Sequence, residues 1–320
     1  MSTASVVPET YELTGEDAWR TLRNERMARL LKDSMQRLRF ADGFSHARAL
    51  AFQTVLAILP GVIVAVGLAV TFESSVSATI RETIDSLAPG PAGELFRSAF
   101  DQGAAKGSTS SGRNALIVGG IAMFIAGATA FGQIERAANR IYGVELDRPS
   151  VAKYTRASLL TLSAGVLMVG YFVSVTVGRE VADSLDDGSS WRTVFGVLRW
   201  PVGAALLGGA VAMVMLLCPK RHQPGFSWLA VASLVTVVLS LIVSILFHWY
   251  LDLSNSFGDT YGPLAGFIGL MFWTYASAFA LLYGIAFAAQ LEYVRAGRHA
   301  PQSRAKVESS AASSSVPMAG

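Results

Sequence analysis

The sequence predicts an all-α fold: a polytopic membrane helix bundle with six transmembrane helices, an N-terminal amphipathic helix, and an external helical cap between spans 1 and 2. Three observations lead there. Only 15% of the 320 residues are charged and 52% are hydrophobic, with mean hydropathy +0.43. A soluble domain carries about 25% charged residues. Asn114–Ile134 runs without a charge, and the six residues Glu135–Arg140 that follow carry three. At about 1.5 Å per residue that run spans roughly 30 Å, the hydrocarbon thickness of a bilayer. Five further runs share its length and character.

Residues 1–13 are polar and without pattern. Gly15–Phe40 reads as one amphipathic helix. Trp19, Leu22, Met27, Leu30, Leu31, Met35 and Leu38 recur mostly at spacings of three and four. Arg20, Arg23, Arg26, Arg29, Lys32, Arg37 and Arg39 fill the other faces. Such a helix suits anionic lipid head groups, or equally the protein's own cytoplasmic loops.

The first span is Ala49–Phe72, with Gln53 and Pro60 inside. Pro60 removes one helical hydrogen bond. In the polar stretch 73–113, Val76, Ile80, Ile84 and Leu87 mark a short helix, Pro89-Gly-Pro91 breaks it, and Leu95, Phe96, Ala99 and Phe100 mark a second. Gly103–Gly112 reads as a flexible Gly/Ser linker. Asn114–Ile134 is the second span. Its many glycines and alanines give it a narrow profile and the expected centre of the bundle. Ala157–Gly178, Trp200–Cys218, Ser227–Phe247 and Leu264–Leu291 complete the set. Trp191, Trp200, Trp228, Trp249, Tyr250 and Tyr261 lie at span ends, as interfacial aromatics do. From Pro301 the chain is Ser/Ala-rich and reads as disordered. The expected domains are a cytoplasmic segment 1–40, a membrane domain 41–295 and a tail 296–320.

Orientation follows from Lys and Arg near the spans. Sixteen lie on the side of the termini and six on the other. Both termini are therefore expected in the cytoplasm of a bacterial cell, with the protein in its inner membrane. No secretory signal peptide is expected, since the first apolar run starts late, at Ala49, and is too long. The net charge of +3 is too mild to indicate nucleic acid. Cys218 is the lone cysteine, so no internal disulfide can form.

Three stretches, taken together, resemble one family. They are Arg48-Ala-Leu-Ala-Phe-Gln-Thr-Val-Leu-Ala-Ile-Leu-Pro60, Glu135-Arg-Ala-Ala-Asn-Arg-Ile-Tyr-Gly143, and Tyr261-Gly-Pro-Leu-Ala-Gly-Phe-Ile-Gly-Leu-Met-Phe-Trp-Thr-Tyr275 continuing to Glu292. The chain resembles the YihY/BrkB family of bacterial inner-membrane proteins, which once carried the name ribonuclease BN. The resemblance covers roughly residues 35–295 and implies six spans with cytoplasmic termini, but no agreed activity. The chain also departs from the pattern. Ala286 and Ala288 stand where members often carry a carboxylate and an Asn, and Ala57 stands where a Ser is frequent. A coupling mechanism through that carboxylate is not available here.

The candidate polar path comprises Gln53, Pro60, Glu135, Arg136, Asn139, Arg199 and His248. On a helix Glu135 and Asn139 share a face, as do Arg136 and Arg140. They read either as a vestibule for an anionic head group or as a positive-inside anchor, since basic residues suit a helix C-terminus anyway. Gln53 could line a cavity or bond a neighbouring helix. Arg199 and His248, at outer span ends, fit snorkelling anchors. Pro60-Gly61 and Pro201 with Gly203 interrupt corresponding spans of the two halves, a weak pointer to a transporter site. A metal nuclease needs clustered carboxylates or histidines, yet His46, His222, His248 and His299 are scattered. No cofactor, metal or enzymatic reaction is expected. Expected partners are membrane lipids and a second copy of the chain through small-residue faces, not nucleic acid. Two functions stay open: translocation or binding of an amphipathic or anionic solute, and a non-transporting envelope-integrity or scaffold role.

Overall fold

The computed structural model describes residues 3–71, 80–81, 91–106, 109–183, 190–253, 263–298 and 300–303. Among them no residue belongs to a named strand. The helices are α1 Gly15–Asn24, α2 Met27–Phe40, α3 Gly43–Thr71, α4 Pro91–Lys106, α5 Thr109–Tyr142, α6 Ser150–Asp183, α7 Ser190–Leu217, α8 Phe226–Leu253 and α9 Pro263–Arg295.

The expected helix over 15–40 is two helices. Thr14 opens α1 with a capping box to Asp17, and the chain turns extended at Glu25 and Arg26 before α2 starts. The apolar residues do not all face one way. Leu30 and Leu38 are buried, while Trp19 is 60% exposed and Met27 48%. Arg37, expected on the polar face, is fully buried.

Among the described residues five helices are long and apolar enough to cross a membrane: Gly43–Leu68, Ser111–Tyr142, Ser190–Leu217, Phe226–Phe247 and Phe267–Arg295. The expected third span lies within α6, a continuous helix of 34 residues that is not among those five. α3 runs on through Pro60 and α7 through Pro201. Of the cap, 76–79 and 82–90 lie outside the described residues, whereas Leu95–Phe100 falls in α4. The expected flexible linker is largely helix, shared between the end of α4 and the start of α5. Phe100 is fully buried, because α4 lies against α3 and α9.

The long helices pack in chain order. α3 meets α5, α5 meets α6, then α7, α8 and α9 follow in turn, and α9 returns to α3. The expected centre, α5, is not the central helix. Half of the apolar window of α9 is buried, against 17% for α5. The physical reason is that α5 spends its small residues on one close neighbour. A side chain at Gly119 would meet Ile63 and Val64, and one at Gly112 would meet Val70, all on α3. Its opposite face carries Ile117, Val118, Ile121 and Ile125, each more than half exposed and suited to lipid. In α9, by contrast, Leu282 and Ile285 through Gln290 are all fully buried. Ala286 and Ala288 sit in this run, as small residues packed in the core. Of the expected interfacial aromatics, Trp191, Trp200 and Trp249 are exposed, but Trp228 is completely buried. Tyr261 and Gly262 lie outside the described residues.

Candidate functional site

The chemistry-bearing side chains gather at one end of the bundle, where α5, α7 and α9 finish and α8 begins. Two glycines shape that end. Gly143 and Gly297 have φ of +84° and +78°, the left-handed conformation that ends helices. After α5, Val144 N–H donates to the Asn139 carbonyl at 2.8 Å and Gly143 N–H to Arg140 at 3.3 Å. α9 closes the same way, with Arg298 to Tyr293 and Gly297 to Val294.

The first polar group forms around Asn139 and Asp147. The Asn139 amide donates to Asp147 at 2.9 Å and accepts from the Lys220 backbone N–H at 2.7 Å. Arg136 and Lys153 approach the same carboxylate at 3.7 and 3.9 Å. Arg148 pairs with Glu135 at 3.1 Å. It also donates to the carbonyls of Cys218 and Pro219 at 2.8 and 2.7 Å. Those carbonyls follow the end of α7, so Arg148 satisfies acceptors that a helix end leaves unpaired. Burial lowers the pKa of Lys153, helped by the nearby Arg136 charge and opposed by Asp147.

The second group is more deeply enclosed. Arg221 holds both oxygens of Glu292 at 2.7 Å. Thr10 donates to the same carboxylate at 2.6 Å, and Arg221 also reaches the Pro8 carbonyl. Arg37 donates to Gln290 at 3.0 Å, to the Ser5 carbonyl at 3.0 Å and to the Ile141 carbonyl at 3.2 Å. Its guanidinium lies over the Tyr293 ring, and that of Arg221 over Tyr142. Burial lowers the Arg37 pKa to about 10, with Tyr293, Tyr142 and Glu292 pulling the other way, so it remains a cation near neutral pH. For Arg221, burial alone would lower the pKa. The hydrogen bonds and charge of Glu292 outweigh that and raise it.

These contacts turn the N-terminal segment, patternless as sequence, into a strap across the helix ends. Ala4 and Val7 N–H donate to the carbonyls of Arg140 and Tyr142, and Ser5 N–H to Gln302. The strap passes so close that any side chain at Gly143 would collide with the Val6 backbone.

Of the sequence candidates, the structure therefore unites Glu135, Arg136 and Asn139. Glu135 is 3% exposed and Asn139 fully buried, whereas Arg136 is exposed. Gln53 lies away from them. His46 touches Gln133 at 3.2 Å, and Gln53 is two turns further along α3, about 10 Å on. Its Oε1 is buried with no partner among the described residues. Pro60 is half-buried two turns beyond that. Arg199 is nineteen residues before Cys218 on α7, about 28 Å from the Asn139 group. Its guanidinium lies 5.4 Å from the Trp200 ring. His248 belongs to α8, and its side chain is outside the description. Arg37, Asp147, Arg148, Arg221, Gln290 and Glu292 escaped notice as site residues. A signal existed for Arg37: it shares a helical face with Leu30, Ser34 and Ala41. The others meet only through the fold.

Clefts lie among the described helices. One, about 350 Å³, is bounded by α7 residues Ala204 to Gly209 and by α8 residues including Ser233 and Val237. Another, about 700 Å³, opens between α2, α8 and α9, and its walls are almost wholly apolar. Among the described residues no three His, Cys, Asp or Glu side chains gather closely enough to hold a metal ion.

Comparison with known proteins places this architecture. The family described as Virulence factor BrkB matches residues 34–309. A ribonuclease-like protein of Bacillus subtilis (strain 168), YfkH, is 24% identical over 260 residues, covering 79% of this chain and 92% of that protein. No solved structure matches.

Proposed function

Because the chain belongs to the BrkB family, a membrane family by its apolar helices, we propose that it binds or moves an amphipathic, anionic, lipid-like solute in the bacterial inner membrane. It does so without transforming that solute chemically. In this reading α6, about 51 Å long by helical rise, is the third of six spans. Both termini are cytoplasmic, and α4 belongs to an external cap.

The observation that carries the reading is the cleft between α2, α8 and α9. It is apolar, and its α8 wall carries the exposed side chains of Leu234, Val238 and Ile242, as a site filled from the bilayer would. Glu135, Arg136 and Asn139 serve as the brace of the cytoplasmic layer, because their polar atoms hold Arg148, Asp147 and Lys220. Gln53 belongs to a polar path inside the membrane that is separate from this cleft, whose lining does not include it. Arg199 and His248 are outer-end anchors. Membrane lipids are the partners, and a second copy of the chain could pack where Gly120 leaves open space among larger apolar residues of α5.

A scaffold role is favoured by a different observation, the dense bonding of strap, loops and helix ends. Reconstitution in liposomes with labelled lipids and anions separates the two. Flux or scrambling above empty vesicles supports translocation. Its absence, together with a silent Glu135→Ala in cells, leaves the scaffold.

A further inference from the structure

The geometry points to a binding site for one anionic phospholipid of the cytoplasmic leaflet in the cleft between α2, α8 and α9, with Lys32 taking the phosphate. The inference rests on the lipid-like reading above and names its ligand.

The cleft is apolar throughout, with one cation, Lys32, on its α2 side. Leu31, Lys32 and Met35 of α2 form that side. Leu234, Val238 and Ile242 line the wall from α8, and Phe279 and Tyr283 from α9. Leu234 to Ile242 is eight residues, so the wall runs about 12 Å down the span. Those three side chains are 62%, 47% and 46% exposed, on a helix whose mean hydropathy is 2.8 over the span. Among the described residues nothing covers them, and in a bilayer an acyl chain does. The volume lies within the range of ~300–1,000 Å³ usual for small-molecule sites.

The α2 side of the cleft is tied to its wall. The Tyr283 hydroxyl donates to the Leu31 carbonyl at 3.0 Å, tying α2 to α9. The Phe279 ring is stacked on Tyr283 and also touches Phe44. Lys32 follows Leu31 directly and lines the same cleft. Arg29, Lys32, Gln36 and Arg39 form one row of α2 at i, i+3, i+7 and i+10, with the three cations exposed. A cationic row at the rim of an acyl-sized groove complements a lipid with a negative head and does not distinguish a neutral one. Arg37, the remaining cation of this helix turn, is occupied by Gln290 and two carbonyls and takes no part.

The test uses the full chain in nanodiscs containing either spin-labelled phosphatidylglycerol or spin-labelled phosphatidylcholine. The wild type should restrict the phosphatidylglycerol label about fivefold in preference, the factor one basic residue near an anionic surface supplies. Lys32→Glu should abolish that preference while chains stay restricted. Val238→Trp, which fills the groove, should remove the restricted component for both lipids. Equal restriction of the two lipids by the wild type overturns the site, as does a preference that survives Lys32→Glu or a component that survives Val238→Trp. If Val238→Trp does not fold, the exposed Lys32 substitution decides alone. Restricted lipid without flux in liposomes sinks translocation and leaves the site standing. Flux without restricted lipid sinks the site alone.

Discussion

Arg221 grips the Glu292 carboxylate through two 2.7 Å hydrogen bonds, and neither side chain is more than 2% exposed. The pair joins the α7–α8 loop to the end of α9, and Thr10 adds the strap. Breaking such a pair strands a buried charge, at a cost of about 3–5 kcal/mol. Glu292→Gln should therefore lower thermal stability in detergent sharply. Arg221→Met with Glu292→Leu should recover most of the loss, because both charges go together. Equal melting of the single and double variants would refute a pair that acts as a unit.

Gly284 of α9 lies against Thr236 of α8. A Cβ added there would overlap the Thr236 hydroxyl and crowd Met215. Gly284→Ala should destabilise by about 1–3 kcal/mol, the usual cost of overpacking a tight core. Thr236→Ala in the same chain removes the colliding oxygen and should restore part of that. Denaturant titration of the three variants checks it.

The docking of α1 should be acid-sensitive. Asp17 accepts from the Thr14 backbone and hydroxyl, and these bonds lower its pKa below 3.8, with Arg295 at 3.1 Å adding to the effect. A lowered carboxylate pKa contributes stability that is present above the unfolded value and lost as pH falls through the folded one. Amides of α1 should thus be protected from hydrogen exchange at pH 6 and lose protection below about pH 3.8. Asp17→Asn should show the same reduced protection, relative to the intrinsic exchange rate, at both. Unchanged protection in acid would show that the helix is held by other contacts.

The six-span reading has a direct check. Alkaline-phosphatase fusions at residues 105 and 187 should be active and one at 148 inactive. An inactive fusion at 187 would mean that α6 does not cross.

Much of the membrane architecture was legible because lipid imposes a one-dimensional rule. A helix must satisfy its own backbone and stay apolar for about twenty residues. Runs such as Ser227–Phe247 obey that rule whatever their neighbours do. The ends of α5 and α9 lie beyond the apolar runs, at Gly143 and Gly297, which take a conformation that few other residues tolerate. The Glu135–Arg140 stretch could be singled out, but not which of its members would be buried.

What the sequence determined by itself is the all-helical membrane character and the family, both written in local composition and short motifs. Only the tertiary structure decided that α9 is the centre in place of α5, that the N-terminal residues are a strap, and that Arg37 faces inward. Each depends on residues far apart in the chain, as Arg37 and Gln290 are. A glycine- and alanine-rich helix can serve one close neighbour or several. A buried cation needs acceptors that no local pattern announces. Such partners are assigned by packing, where the burial of one group is conditional on the arrival of another.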